Sequence, residues 1–376
     1  MSERPVPFID LAAQTAAYRD ELDSAIARVI DHGRFILGPE VAALEQQLAT
    51  YAGADHCVSC ASGTDALVLA LRALDIGVGH EVVVPALSFG ASAEAVALVG
   101  ARPVCADVAR ACFTLDPDQI ERRLSPGTRA IMAVGLFGQP AQMDALAELA
   151  ARHDVVLIDD AAQSFGGAIG ARRVGTLATV TATSFFPAKP LGCFGDGGAL
   201  FCQDEALAKR LRVLRAHGQR PGERYQHAEL GTNSRLDTLQ AAVLSVKLSH
   251  FDDELARRAQ NAARYDELLD GAPLSPPRLR AGVRSSFAQY TVRLERDDPR
   301  WRDALRARLA ARGIPTQVYY PAPLHHQAAF AAFHDGADLP VAEALCRDVL
   351  SLPFCAFIDA DTQRRVCEAL REELVR

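Results

Sequence analysis

The residues of this chain best suited to chemistry centre on one lysine. In TSFFPAKPLGCFGDGGAL, residues 183–200, Lys189 lies between Pro187 and Pro190, with Phe185, Phe186, Leu191 and Phe194 close by in sequence. A primary amine becomes a nucleophile toward carbonyls when desolvation lowers its pKa, and an apolar turn supplies that desolvation. A surface lysine whose stem covers apolar neighbours gives the same local pattern, so other residues have to corroborate the chemistry. VVLIDDAAQSFG, residues 155–166, reads as a buried strand that delivers Asp159 and Asp160 to its C-terminal end, the edge where open α/β sheets bind ligands. A carboxylate there is costly without a partner. Helix capping and metal ligation are the ordinary explanations, and a pyridinium nitrogen held by Asp160 is the chemical one. Gln163, three residues on, carries an amide able to donate to a phenolic oxygen.

Two further stretches extend the pattern. In CASGTDALVLAL, Ser62, Gly63 and Thr64 open a helix whose first N–H groups have no intrahelical acceptor and suit a phosphate, although an ordinary cap by Ser62 or Thr64 reads the same way. Ser184 adds a hydroxyl five residues before Lys189. In PALSFGASAEA, Phe89 falls between a strand and a helix, where a ring stacks on a flat ligand or simply packs in the core.

The elements that must position these residues follow from hydrophobic periodicity. Apolar runs at EVVVP, ARPVCADV, RAIMAV, VVLIDDA, TATSFF and GALFC read as strands. TDALVLALRAL, ASAEAVALVG and MDALAELAARH between them read as helices. That alternation predicts a mostly parallel sheet covered on both faces. After Cys202 the pattern turns helical, with EALAKRLRVLRAHG and a long run from Arg235 to Leu269 expected to break near Ser249. A proline-rich stretch, APLSPPRLRAG, and a strand-like FAQYTVRL follow. The boundary between two domains is placed at about His250, giving residues 1–250, N-terminal segment included, as a large domain and 251–376 as a small one.

Composition narrows the function classes. With 376 residues, 49% hydrophobic and 23% charged, the chain has the makeup of a soluble globular protein of two units. A net charge of -7 offers no basic surface for nucleic acid or an anionic membrane. Arg72 interrupts ALVLALRALDIGVG, so no run is long enough for a membrane helix, and MSERPVPFIDL lacks a signal-peptide core. Nine scattered cysteines then read as reduced thiols in the cytoplasm. Cys57 and Cys60 form a C-x-x-C without a second pair, expected as buried strand thiols, with a redox or zinc role the alternative, and no metal is expected. No strand is followed by G-x-G-x-x-G opening a helix, which excludes a nicotinamide dehydrogenase, and a P-loop is missing too.

Taken together, FILGPEVAALE, SGTDAL, IDDAAQSFG, SFFPAKPLGCFGDGGAL, GTNSRLDTLQAA and YYPAPLHHQAAF resemble the motifs of the DegT/DnrJ/StrS sugar aminotransferases, from Phe8 through the C-terminal region. The resemblance implies a fold type I, pyridoxal 5'-phosphate (PLP) dependent α/β enzyme with a mixed, mainly parallel large-domain sheet and a smaller C-terminal α/β domain. It implies that Lys189 carries the cofactor as a Schiff base and shuttles the proton, that Asp160 holds the ring nitrogen and Gln163 the phenolic oxygen, and that Phe89 covers the ring. Gly63, Thr64 and Ser184 would bind the phosphate, with Asn233 reaching the phosphate of the neighbouring subunit, so a homodimer with shared sites is implied. Lysine rather than histidine at position 189 favours transamination over dehydration. The wording around Lys189 looks most like the branch that aminates a 3-keto sugar such as UDP-2-acetamido-3-keto-glucuronate, using L-glutamate and cycling through pyridoxamine phosphate (PMP). There Arg235, Tyr319 and Tyr320 would reach the sugar nucleotide from the partner subunit. Tyr319 departs from the histidine often found there, and Arg235 has a helix-surface salt bridge as its ordinary alternative. His325 and His326 read as solvated loop residues. A 4-keto sugar and a non-catalytic regulator on the same scaffold are the rival functions.

Overall fold

The computed structural model describes residues 5–375 except 221, 223, 224, 277 and 297. The first four residues of MSERPVPFIDL and Pro277 of the proline-rich stretch thus lie outside the described residues.

Seven strands form the central sheet: β1 (His56–Cys60), β2 (Glu81–Pro85), β3 (Arg102–Ala106), β4 (Thr128–Val134), β5 (Val156–Asp160), β6 (Val180–Ser184) and β7 (Gly198–Cys202). Their order across the sheet is β1-β7-β6-β5-β4-β2-β3. The pairings among β2 to β6 are parallel, and the two made by β7, with β1 and β6, are antiparallel. The sheet is therefore mixed and mainly parallel, as the runs of β-branched residues predict.

Successive side chains of a strand point to opposite faces, and both faces here are covered. Ile158, Met132 and Val82 pack with Leu67, Leu71 and Val96 of the helices Gly63–Ala73 and Ala91–Leu98. Leu157, Ile131 and Val83 pack on the other side with Met143, Leu146 and Leu149 of the helix Met143–Arg152. Each fully buried leucine or valine contributes about 1.5–3 kcal/mol, so this two-sided burial fixes the register that sets the sheet's C-terminal edge.

The long helical run breaks as expected: one helix ends at Ser249, the next begins at Phe251, and His250 lies between them with ψ near 1°. Beyond it, Tyr265, Val292, Leu305 and Leu370 belong to a separate cluster around a small antiparallel sheet of Leu274–Ser275, Tyr290–Leu294 and Val349–Leu352. Val6 joins that cluster, and the backbone of Val6 and Phe8 bonds to Gly313 and Phe354. The residues around Val6 thus pack on the C-terminal part of the chain, although sequence position had grouped them with the first 250 residues.

Candidate active site

Strand alternation separates the two carboxylates at the end of β5. Asp160 shares the face of Ile158 and meets the Ala91–Leu98 helix, where the Ser92 hydroxyl donates to Oδ2 at 2.8 Å and the Ala162 amide donates to Oδ1 at 3.2 Å. Ser88 and Ser92 hydroxyls lie 2.8 Å apart and extend the chain of bonds. Burial raises the Asp160 pKa, opposed by these bonds and by the field of Lys189. Asp159 points the other way and is 1% exposed, with the neighbouring Thr181 hydroxyl as the one group that favours its charged form. Burial, with the Asp160 charge as the next cause, pushes it up to about 7. Of the two, only Asp160 is placed to meet a ligand.

Lys189 sits in a turn closed by its own amide, which donates to the Phe186 carbonyl at 2.8 Å. The turn requires Gly192, because a Cβ there would lie 2.5 Å from the Pro187 carbonyl oxygen and 2.7 Å from that of Phe186. Desolvation lowers the Lys189 pKa, against the opposing attraction of Asp160. The source of that desolvation differs in part from the sequence reading. Phe185 and Leu191 are buried, but Phe186 and Phe194 are 51% and 43% exposed, and the Phe194 ring lies under the Lys247 amine at 4.6 Å. Asp10, Gln14, Glu254, Arg258 and Phe357 line the same small cavity as Lys189 and supply the remaining walls. Within this group, Gln14 donates to both Glu254 oxygens at 2.9–3.0 Å, and Lys247 donates to Gln14 Oε1 at 2.9 Å and to the Gly192 carbonyl at 2.8 Å. Local sequence carries no sign of this buried network, since Gln14 reaches Lys247 and Glu254 across 233 and 240 residues and Lys247 reaches Gly192 across 55.

The phosphate cradle forms where β1 runs into the Gly63–Ala73 helix. Ser62 caps it, accepting from the Asp65 amide at 3.0 Å, and the Ser234 hydroxyl donates to Asp65 Oδ2 at 2.6 Å. Among the described residues the Gly63 and Thr64 amides have no protein acceptor, which leaves them for an anion at the helix N-terminus. A Cβ on Gly63 would stand 2.6 Å from the Ser184 Cβ, so glycine is what lets this helix end and Ser184 come together. The register carries the point across the sheet: Ser184 pairs with Gly198, Gly198 pairs with Cys60, and Asp160 pairs with Ala182, two residues before Ser184.

Gln163 is 4% exposed, and its Oε1 accepts from the Phe137 amide at 2.8 Å, an assignment that turns the NH2 end toward the site. That end donates to the Tyr320 hydroxyl at 3.2 Å and keeps a second N–H. The Phe89 ring is 58% exposed and lies 6.1 Å from the Tyr320 ring, which is followed by Tyr319 at 5.6 Å and Phe8 beyond at 6.4 Å. Tyr320 therefore meets Gln163 and Phe89 of its own chain, where the sequence reading had assigned it to the partner's site. Burial raises its pKa and keeps the hydroxyl protonated. Arg235 lies in the loop before the helix Thr238–Ser249, its Nε is buried without a partner, and it forms no salt bridge among the described residues. Asn233 is exposed. The structure thus brings Lys189, Asp160, Gln163, Phe89, Ser184 and the Gly63–Thr64 amides to one sheet edge, while Asn233 faces outward. Cys57 and Cys60 are buried free thiols that burial pushes up, and the one group of metal-ligating residues found among the described residues includes neither.

A buried carboxyl group with no cationic hydrogen-bond partner among the described residues, an amine whose neutral form burial favours, free helix amides and an exposed ring fit the ring nitrogen, aldehyde, phosphate and face of PLP. The family model described as the DegT/DnrJ/EryC1/StrS aminotransferase family matches residues 17–371. The chain is 45% identical over 365 residues, 97% of its length and 99% of the relative's, to the UDP-2-acetamido-2-deoxy-3-oxo-D-glucuronate aminotransferase of Pseudomonas aeruginosa. It is 46% identical to the dTDP-3-amino-3,4,6-trideoxy-alpha-D-glucose transaminase of Streptomyces venezuelae, covering 98% of this chain and 96% of that one. A relative from Geobacillus stearothermophilus named pleiotropic regulatory protein is 41% identical over 98% of both chains. Among solved structures, S. venezuelae DesV in complex with a ketimine intermediate superposes with a TM-score of 0.94 at 45% identity, covering 99% of each chain. NtdA from Bacillus subtilis with bound cofactor PMP gives a TM-score of 0.92 at 28% identity, covering all of this chain and 87% of that one.

Proposed function

The chain belongs to the DegT/DnrJ/EryC1/StrS aminotransferase family, and from that premise we propose that it transfers an amino group from L-glutamate to the C3 keto carbon of UDP-2-acetamido-3-keto-glucuronate. The observation that carries transamination is the pairing of a desolvated Lys189 with a buried Asp160 at one sheet edge. The names of two relatives, one specifying a 3-oxo and the other a 3-amino sugar nucleotide, support the C3 position over C4.

PLP, the family's cofactor, supplies when bound an electrophilic carbonyl and a ring that delocalises electrons released at the substrate carbon. Lys189 Nζ holds the cofactor at rest and moves a proton to and from the reacting carbon, a task its lowered pKa suits. Asp160, oriented by Ser92 and the Ala162 amide, keeps a negative charge against the ring nitrogen. Gln163 offers its remaining N–H to the phenolic oxygen, and Tyr320 fixes the amide's orientation from the opposite side. Gly63, Thr64 and Ser184 receive the phosphate. Phe89 covers one ring face, and Arg235 and Tyr319 receive the sugar nucleotide, Arg235 through its paired N–H groups.

A homodimer completes the site in this reading, with the exposed Asn233 donating to the phosphate bound by the neighbouring subunit. Nine free cysteines, eight of them buried, support a reducing, cytoplasmic setting. The test runs the reaction backward with 2-oxoglutarate and a panel of UDP- and dTDP-linked amino sugars. Turnover of the UDP-linked 3-amino uronate above all others is expected; preference for a 4-amino sugar, or no turnover with any, overturns the assignment.

A further inference from the structure

Two adjacent histidines that sequence reading leaves as solvated loop residues are built into a cluster. Leu324–His326 form a short 3-10 turn directly after Tyr319–Pro323, and the Leu324 amide donates to the Ala86 carbonyl at 2.8 Å. Only His326 is solvated, at 48% side-chain exposure, whereas the His325 side chain is 2% exposed. Both Nε2 atoms approach the same oxygen, Glu343 Oε1, at 3.3 Å from His325 and 3.7 Å from His326. Glu343 lies on the helix Pro340–Asp348, whose first amides, at Val341 and Ala342, donate to the two oxygens of Asp107 at 3.0 and 2.8 Å. The turn and the helix are thus each anchored independently of the cluster.

The separations are long for hydrogen bonds, whose N···O distance centres on about 2.9 Å. They suit a different arrangement. Four donors about 2.1 Å from a zinc ion at tetrahedral corners lie about 3.4 Å from one another. One donor atom from each of His325, His326 and Glu343 lies within 4.8 Å of both others, so closing the set on an ion shortens no separation by more than about 1.4 Å. We propose that His325, His326 and Glu343 form a binding site for a divalent transition metal of the zinc class, in which the ion ties the turn after Tyr319 and Tyr320 to the Pro340–Asp348 helix. Two imidazoles and one carboxylate are borderline donors that select zinc, nickel or copper over magnesium and calcium. The exposed His334, with its ring 5.4 Å from that of His325 and 6.2 Å from that of His326, is near enough to fill the fourth position by rotating its side chain; otherwise water occupies it.

Tag-free, PLP-loaded protein stripped with a chelator and titrated with zinc sulfate against a chromophoric competitor tests the site. One zinc per chain is expected, with His326→Ala and Glu343→Gln each weakening it by about tenfold or more and leaving transaminase rates unchanged. His326 is half exposed, so its replacement leaves the core intact and keeps the comparison valid. Absence of stoichiometric zinc in the unaltered protein, or equal binding by it and both variants, overturns the proposal.

Discussion

At the residue scale the account rests on charges that burial has moved. Lys189→Ala is expected to retain the fold and lose turnover by at least about 10²-fold, measured in single turnovers with L-glutamate. The neighbouring carboxylates separate cleanly. Asp160→Asn removes the anion facing the ring and is expected to lower turnover by about 10²-fold or more, whereas Asp159→Asn is expected to leave it within a few-fold. Asp159 instead governs pH-dependent stability. Its native pKa of about 7 lies above the unfolded value of about 3.9, so the native chain holds an extra proton between those values. Its contribution to stability therefore declines as pH rises through that window, and the deficit, a few kcal/mol, is complete above it. Melting Asp159→Asn beside the parent from pH 4 to 8 checks this: the variant's advantage is expected to grow with pH. The sequence reading named Asp160 of the carboxylate pair for the ring nitrogen; the physical reason, strand alternation together with the location of Ser92, is supplied only by the fold.

At the element scale the sheet edge was legible and its support was not. Apolar strand runs, the Ser62 cap and the break at His250 are written locally, in periodicity and end signals, so the strands and the helices around the site fall where those signals place them. Walls around Lys189 come from Asp10 and Gln14, from Glu254 and Arg258, and from Phe357, three stretches far apart in sequence from the lysine and from each other, and no local pattern encodes their meeting. Lys247 holds the Gly192 carbonyl of the Lys189 turn while also holding Gln14. Lys247→Met strands both acceptors, at about 1–3 kcal/mol each, and is expected to lower the melting temperature and speed amide exchange in residues 185–192. Gly63→Ala tests the cradle: the added Cβ, 2.6 Å from that of Ser184, is expected to weaken PLP binding by about tenfold, a shift of about 1.4 kcal/mol, with the helix intact.

At the scale of the whole molecule, we propose two units meeting near His250, with residues 6–8 counted with the C-terminal one because Val6 packs in its core. Such an N-terminal strap crosses from that unit to the wall beside Lys189, where Asp10 and Gln14 lie. The proposed dimer extends the same logic between chains, and Asn233→Ala tests it. In mixed dimers one subunit carries Asn233→Ala and the other Lys189→Ala; the variant asparagine is expected to weaken cofactor retention in the opposite subunit only. Residues that act across an interface leave no mark in a single chain's contacts, which is why Asn233 was identified by resemblance and stands exposed in the isolated fold.

The central claim is that Lys189 and Asp160 make this fold a transaminase, and the half-reaction tests it most directly. Purified PLP-loaded protein is mixed with excess L-glutamate and followed by absorbance, with 2-oxoglutarate quantified. The prediction is loss of the PLP band with one PMP and one 2-oxoglutarate formed per site, and no such conversion in Lys189→Ala. An unchanged spectrum in the parent protein, or conversion by Lys189→Ala at the parental rate, contradicts it.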